Sequence, residues 1–171
     1  EKAKIIMEEK LHVSPYWQYS HDCDKLTATS KPLANLFAKM FYTYNGRKRV
    51  PEIILNAPIE IQKAFVQGYL EGDGQFRRGK FYGFSTNSQV LAMGVEYLVL
   101  KNKIADDVHV YCRDDKPDDI NIHWFENGYS RGTSPRTIKK VSILPYEGYI
   151  YDLTTANHSF CTGVGPIEAH N

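Results

Sequence analysis

Val66-Gln67-Gly68-Tyr69-Leu70-Glu71-Gly72-Asp73-Gly74 is the stretch on which the fold turns. It closes a segment that Pro58 opens and that reads as helix to about Gly72. Ile61, Phe65, Gly68 and Gly72 stand four, three and four residues apart, so they share one stripe. A glycine inside a helix costs roughly 1 kcal/mol relative to alanine. Two on one face are kept where another backbone must approach closely. The stripe therefore predicts a helix packed tightly on a partner helix, with Asp73 at the C-terminal end of that interface.

Downstream, Gln75 to Ser85 reads as a hairpin around Arg78-Gly79, and Asn87-Ser88 caps a helix from Gln89 to about Asn102. Val108 to Arg113 and Ile120 to Phe125 read as strands joined by the acidic turn Asp114 to Asp119. Helix, hairpin, helix, hairpin from 58 to 125 thus form one unit. Upstream, residues 2 to 11 suggest a short helix, broken at Ser14-Pro15. Tyr16 to Tyr19 and Lys25 to Thr29 suggest two strands about the polar turn His21 to Asp24. Ser30 and Pro32 then start an amphipathic helix bearing Leu33, Leu36, Phe37, Met40 and Phe41, which Asn45-Gly46 ends. This order looks like the tail of a first copy of the same unit, lacking its opening helix and hairpin. Glu126 to Pro135 reads as a linker, and Thr137 to Leu144 and Gly148 to Thr154 return to strand pattern.

Length allows one domain, or a domain and a fragment of another. With 24% charged and 42% hydrophobic residues the composition is globular, and a formal net charge of +1 does not by itself indicate nucleic-acid binding. Basic residues cluster at Arg47-Lys48-Arg49, Arg77-Arg78 with Lys80, and Lys139-Lys140; any one cluster alone reads first as a solvated turn. Cys23, Cys112 and Cys161 are odd in number and far apart, which argues against a zinc site and a disulfide framework and fits an intracellular, cytoplasmic chain. Nothing resembles a signal peptide or membrane span. The first residue is Glu1, not Met, so a piece of a longer protein is expected.

The other informative stretch is the C-terminal one. Tyr151-Asp152-Leu153-Thr154 is followed by His158-Ser159-Phe160, a Gly-containing turn, and His170-Asn171. An Asn side-chain amide can attack its own carbonyl carbon, closing a succinimide and breaking the next peptide bond. A poor nucleophile and a poor leaving group then need a proton donor and a stabilised oxyanion. This array resembles the C-terminal splicing region of inteins over Arg136 to Asn171, departing from its usual small and apolar pattern at Gly165 to Ala169. The resemblance implies that Asn171 cyclises, that His170 assists it, that His158 polarises the scissile carbonyl or relays protons, and that Asp152 supports acyl transfer at the other junction. None of these steps calls for a cofactor.

Residues 66 to 74 in turn resemble the LAGLIDADG (dodecapeptide) motif of homing endonucleases, with Glu71 in place of the more common earlier Asp. Val50-Pro51-Glu52-Ile53-Ile54 to Ala64-Phe65 is similar to what precedes the second such motif in intein-borne enzymes, and the likeness extends over residues 1 to 125. It implies two motif helices packed through their glycines, each giving one acid to a shared Mg²⁺ site for phosphodiester hydrolysis. Asp73 is the matching metal ligand, and Arg77, Arg78 and Lys80 are placed to contact double-stranded DNA. Only one motif is present. The chain begins with Glu1 instead of Cys or Ser, and shows no convincing copy of the Thr-x-x-His element of the N-terminal splice junction.

The expectation is therefore an α+β chain. Residues 1 to 130 would form an incomplete LAGLIDADG endonuclease-like α/β domain. Residues 136 to 171 would supply C-terminal strands of an all-β Hint-type (Hedgehog/intein) splicing domain. The partners would be an N-terminal intein part carrying the nucleophile and first motif helix, the flanking host segments, and possible target DNA, with no membrane. A site-specific endonuclease and a catalytically dead DNA-binding remnant stand as alternatives.

Overall fold

The computed structural model describes residues 2–21, 24–125, 141–162 and 167–170. The chain divides into two compact units, Glu1–Tyr42 and Thr43–Asn171.

The first unit runs α1 (Lys2–Glu9), β1 (Tyr16–Gln18), β2 (Lys25–Thr27) and α2 (Lys31–Phe41). β1 and β2 pair antiparallel, Trp17 opposite Leu26. α2 starts where its chemistry dictates: Ser30 is extended, its hydroxyl accepts from the Leu33 N–H at 3.4 Å, and Pro32 occupies the first turn. Phe37 and Phe41, four apart, stack along one side with ring centroids 5.5 Å apart. Neither α1 nor α2 contains a buried residue.

The second unit contains α3 (Glu52–Leu55), a short turn of helix absent from the sequence reading, then α4 (Ile59–Asp73), β3 (Gly74–Arg77), β4 (Lys80–Thr86), α5 (Gln89–Lys101), β5 (Asp107–Arg113) and β6 (Lys116–Phe125). The expected helix, hairpin, helix, hairpin order is present. The four strands form one antiparallel sheet in the order β3-β4-β6-β5. The β3–β4 turn has Arg78 and Gly79 both at positive φ, 52° and 82°. A two-residue turn of that hand matches the right-handed twist of the strands. α4 and α5 supply Val66, Leu70, Leu91, Val95, Leu98 and Val99 to a core shared with Phe84, Ile120, Ile122 and Trp124 of the sheet. Burying such side chains is worth about 1.5–3 kcal/mol each. Ser88 caps α5 by accepting from Leu91 N–H at 3.3 Å. Gln62 and Asn102 join the helices inside: Asn102 Nδ2 donates to Gln62 Oε1 at 3.0 Å.

Two strand expectations fail. Residues 141–144 and 148–154 are not in strand, and Thr137 to Lys140 lie outside the described residues. Ile143, Ile150 and Tyr151 are 95%, 88% and 88% exposed. Alternating apolar residues become a strand only against an edge that takes up their N–H and C=O groups, and among the described residues none pairs with them. Strands form instead at β7 (Ser159–Thr162) and β8 (Ile167–His170), an antiparallel pair that the sequence reading did not assign.

Candidate functional site

The β7–β8 ladder sets Ser159 opposite His170, which places His158 beside the end of β8. The two imidazoles face each other with ring centroids 6.3 Å apart and planes 32° apart. His158 adopts a left-handed conformation, φ 56°, where His is several-fold enriched over most other non-glycine residues. The turn holds it there: its N–H donates to Thr155 O at 3.2 Å, and the Thr155 hydroxyl donates to Ser159 O at 2.9 Å. The chain thus spends local strain to bring together two histidines twelve residues apart in sequence. Asp152 is exposed, and its Oδ1 accepts from the adjacent Leu153 N–H at 2.8 Å rather than reaching either imidazole. Asn171, and the linker expected from Glu126 to Pro135, lie outside the described residues.

Asp73 ends α4, as its motif placement requires. Its Oδ2 lies 3.0 Å from Lys48 Nζ, in a pair about half exposed on each side. Lys48 is the functional candidate that the sequence reading passed over, taken there only as part of a basic cluster. Its neighbourhood is fixed by Ser88, whose hydroxyl donates to Lys48 O. Asp73 also acts on Tyr69, one turn back: burial first, then the carboxylate, push the phenol well above its ordinary value. Among the described residues no three His, Cys, Asp or Glu side chains converge on one point. One carboxylate paired with an ammonium supplies a single hard ligand, where a Mg²⁺ ion takes several oxygens. Gly68 and Gly72 are exposed, and a Cβ added at either meets nothing within 4 Å. The close partner that their spacing predicts is not among the described residues.

The helices cover one face of the sheet. The other carries a connected polar and aromatic surface. Gln75 Nε2 donates to Ser85 Oγ at 2.8 Å, and Ser85 donates onward to Asn121 Oδ1 at 2.7 Å. His123 Nε2 lies 2.8 Å from Gln75 Oε1. Tyr82 and Tyr111 meet the His123 ring edge-on at 5.1 and 5.2 Å, and His109 stacks on Tyr111 at 5.5 Å. Burial and the neighbouring His109 hold His123 below the usual imidazole value. Arg77, Arg78 and Lys80 sit at one end of the face, at the β3–β4 turn. A half-buried sheet face of amides, imidazoles and phenols with an exposed basic margin offers donors and acceptors of the kind that read base edges. Alternation could have signalled part of it: His109 and Tyr111 alternate with Val108 and Val110, and Asn121 and His123 with Ile120, Ile122 and Trp124.

Among the described residues no helix is long and apolar enough to cross a membrane. No protein-family model matches the chain. It is 30% identical over 150 aligned positions to a DNA polymerase of Acanthamoeba polyphaga mimivirus, which covers 82% of this chain and 8% of that protein. It is 28% identical over 194 aligned positions to a DNA polymerase of Thermococcus sp. (strain GE8), covering 80% of this chain and 11% of the polymerase. It is also 27% identical over 173 aligned positions to transcription initiation factor IIB of Methanocaldococcus jannaschii, covering 90% of this chain and 23% of the factor. The chain therefore spans roughly a tenth of the polymerases and under a quarter of the factor.

Proposed function

We propose that this chain is the C-terminal segment of an intein, and that it frees the polypeptide after Asn171 by cyclising that residue. The observation that carries the reading is the pattern of its relatives. Four fifths or more of one chain aligns with small fractions of a polymerase and of a transcription initiation factor. These proteins do different work, so the shared part is better understood as an insert with its own function than as a piece of either activity. The histidine pair adds chemistry to that pattern. The Asn171 amide nitrogen bonds to its own carbonyl carbon, the bond to the next residue breaks, and the departing amine takes up a proton. His170 is adjacent in sequence, and His158 lies beside it to relay a proton or polarise the carbonyl. Asp152 serves the acyl-transfer step at the other junction, in a domain completed by the N-terminal part.

The test fuses a reporter after Asn171 and supplies the N-terminal part. Reporter release is expected, and Asn171→Ala should abolish it with the fold retained. Undiminished release in that variant overturns the reading.

A second reading concerns the four-stranded sheet. Its polar face and the Asp73–Lys48 pair at the end of α4 favour a DNA-recognising half of an endonuclease. Cleavage would require a second Gly-rich acidic helix against Gly68 and Gly72, and Mg²⁺ to activate water. Arg77, Arg78 and Lys80 would meet phosphates.

A further inference from the structure

His123 is fixed from all four strands of the sheet. Its Nε2 meets Gln75 Oε1 on β3 at 2.8 Å. Gln75 commits its amide nitrogen to Ser85, Ser85 its proton to Asn121, and Asn121 its nitrogen to Asp119 O at 3.1 Å. Each bond sets the direction of the next, so Gln75 Oε1 accepts and His123 Nε2 carries the hydrogen. On β4, directly opposite, stands Gly83. A Cβ there would run first into the backbone oxygen of Ile122 and then into the His123 ring at 2.6 Å, so glycine leaves room for both the neighbouring strand and the imidazole. Tyr82 and Tyr111 hold its edges. Only Nδ1 is left variable, an acceptor in the neutral ring and a donor once protonated.

We propose that His123 is a specificity-determining residue of this face, taking up one solvent proton at Nδ1 as DNA binds and donating that N–H to an acceptor on the DNA. The proposal rests on the reading that this face meets DNA. In the free chain, burial and His109 on β5 favour the neutral ring. By strand alternation the charged residues on this face are Arg77 on β3, Lys80 on β4, Asp107 and Arg113 on β5 and Asp119 on the ring's own strand. Three cations and two carboxylates leave no negative excess to retain a proton. The phosphates of a bound duplex supply the missing negative field.

The experiment measures binding of the full chain to a mixed-sequence duplex of about 20 base pairs by fluorescence anisotropy, from about pH 5.5 to 8 at constant ionic strength, the window in which imidazole titrates. Affinity should fall as pH rises, by up to about tenfold per pH unit for one linked proton. His123→Gln should flatten this dependence. His109→Gln should move the fall to higher pH, because a like charge opposite the ring is gone. ¹⁵N spectra of the free chain should show His123 with its hydrogen on Nε2. A pH dependence unchanged in His123→Gln, or an Nδ1–H tautomer in the free chain, overturns the proposal. Binding that is flat with pH overturns it and leaves the DNA reading standing. No binding at any pH removes both. Where the dependence holds, its confinement to G·C or to A·T duplexes assigns the acceptor to a base edge, and equal dependence on both overturns the specificity role.

Discussion

Tyr69 ties the interior of the second unit to the half-exposed acid Asp73. Its ring meets Phe84 edge-on at 5.2 Å, and Phe84 is fully buried. Burial, and secondarily Asp73, raise its phenol above the ordinary value of 10.0. The sign follows directly. With the folded value above the unfolded one, the contribution to stability is complete below about pH 10 and is lost as pH climbs beyond it, since only the unfolded chain then ionises freely. His123 works at the other end. Its folded value is lowered, so its contribution is complete above the usual imidazole range and is lost as pH falls through it. Urea midpoints of wild type should therefore decline between about pH 10 and 11 more steeply than those of Tyr69→Phe, which keeps the ring but cannot ionise. Equal slopes for the two proteins would mean that the phenol is solvated in the folded state.

At the scale of the elements, α4 is the one whose glycine stripe meets no partner among the described residues. Its buried side is satisfied by Gln62, Val66 and Leu70, while Gly68 and Gly72 point into open space. Replacing an open helical glycine should help the isolated chain: Gly68→Ala is expected to stabilise it by up to about 1 kcal/mol through helix propensity. The same site should penalise bulk once a partner helix is bound, where Gly68→Leu should cost roughly 1–3 kcal/mol by overpacking. Thermal melts of the chain alone and of the reconstituted protein decide it. A gain in both states would show that no helix packs on the stripe. This contrast also marks what sequence could express. Caps, turns and apolar periodicity are local, so Ser30, Ser88, Arg78-Gly79 and the order from α4 to β6 were legible. Residues 141–154 were misread because their alternation fits a strand only when an edge is supplied. Lys48 escaped notice because its meeting with Asp73 spans 25 residues and follows from folding, not from spacing. His158 and His170 were singled out by motif, but their pairing needed the register of β7 and β8.

On the whole-molecule scale, two chemistries are proposed for one chain, and they use separate parts of it. Asn cyclisation draws on Asp152, His158, His170 and Asn171, whereas DNA cleavage draws on Asp73 and the sheet. Asp73→Asn separates them. The change keeps the side-chain shape and removes one charge. The lost ion pair with Lys48 is about half exposed, so folding should lose no more than about 1 kcal/mol. In the reconstituted protein with Mg²⁺, plasmid cleavage should drop by orders of magnitude, because a ligand for the activating metal is gone. DNA binding should survive or tighten slightly, since a carboxylate near phosphate has been neutralised and Lys48 freed to face it. Splicing should proceed at its wild-type rate, as no metal enters the succinimide step. The paired assay follows spliced product and linearised plasmid in the same reaction, wild type against Asp73→Asn. Loss of both activities together would make Asp73 a structural residue whose charge holds the end of α4 on Lys48. Cleavage that persists in the variant would remove Asp73 from the metal site and transfer the search for a ligand elsewhere in the assembly.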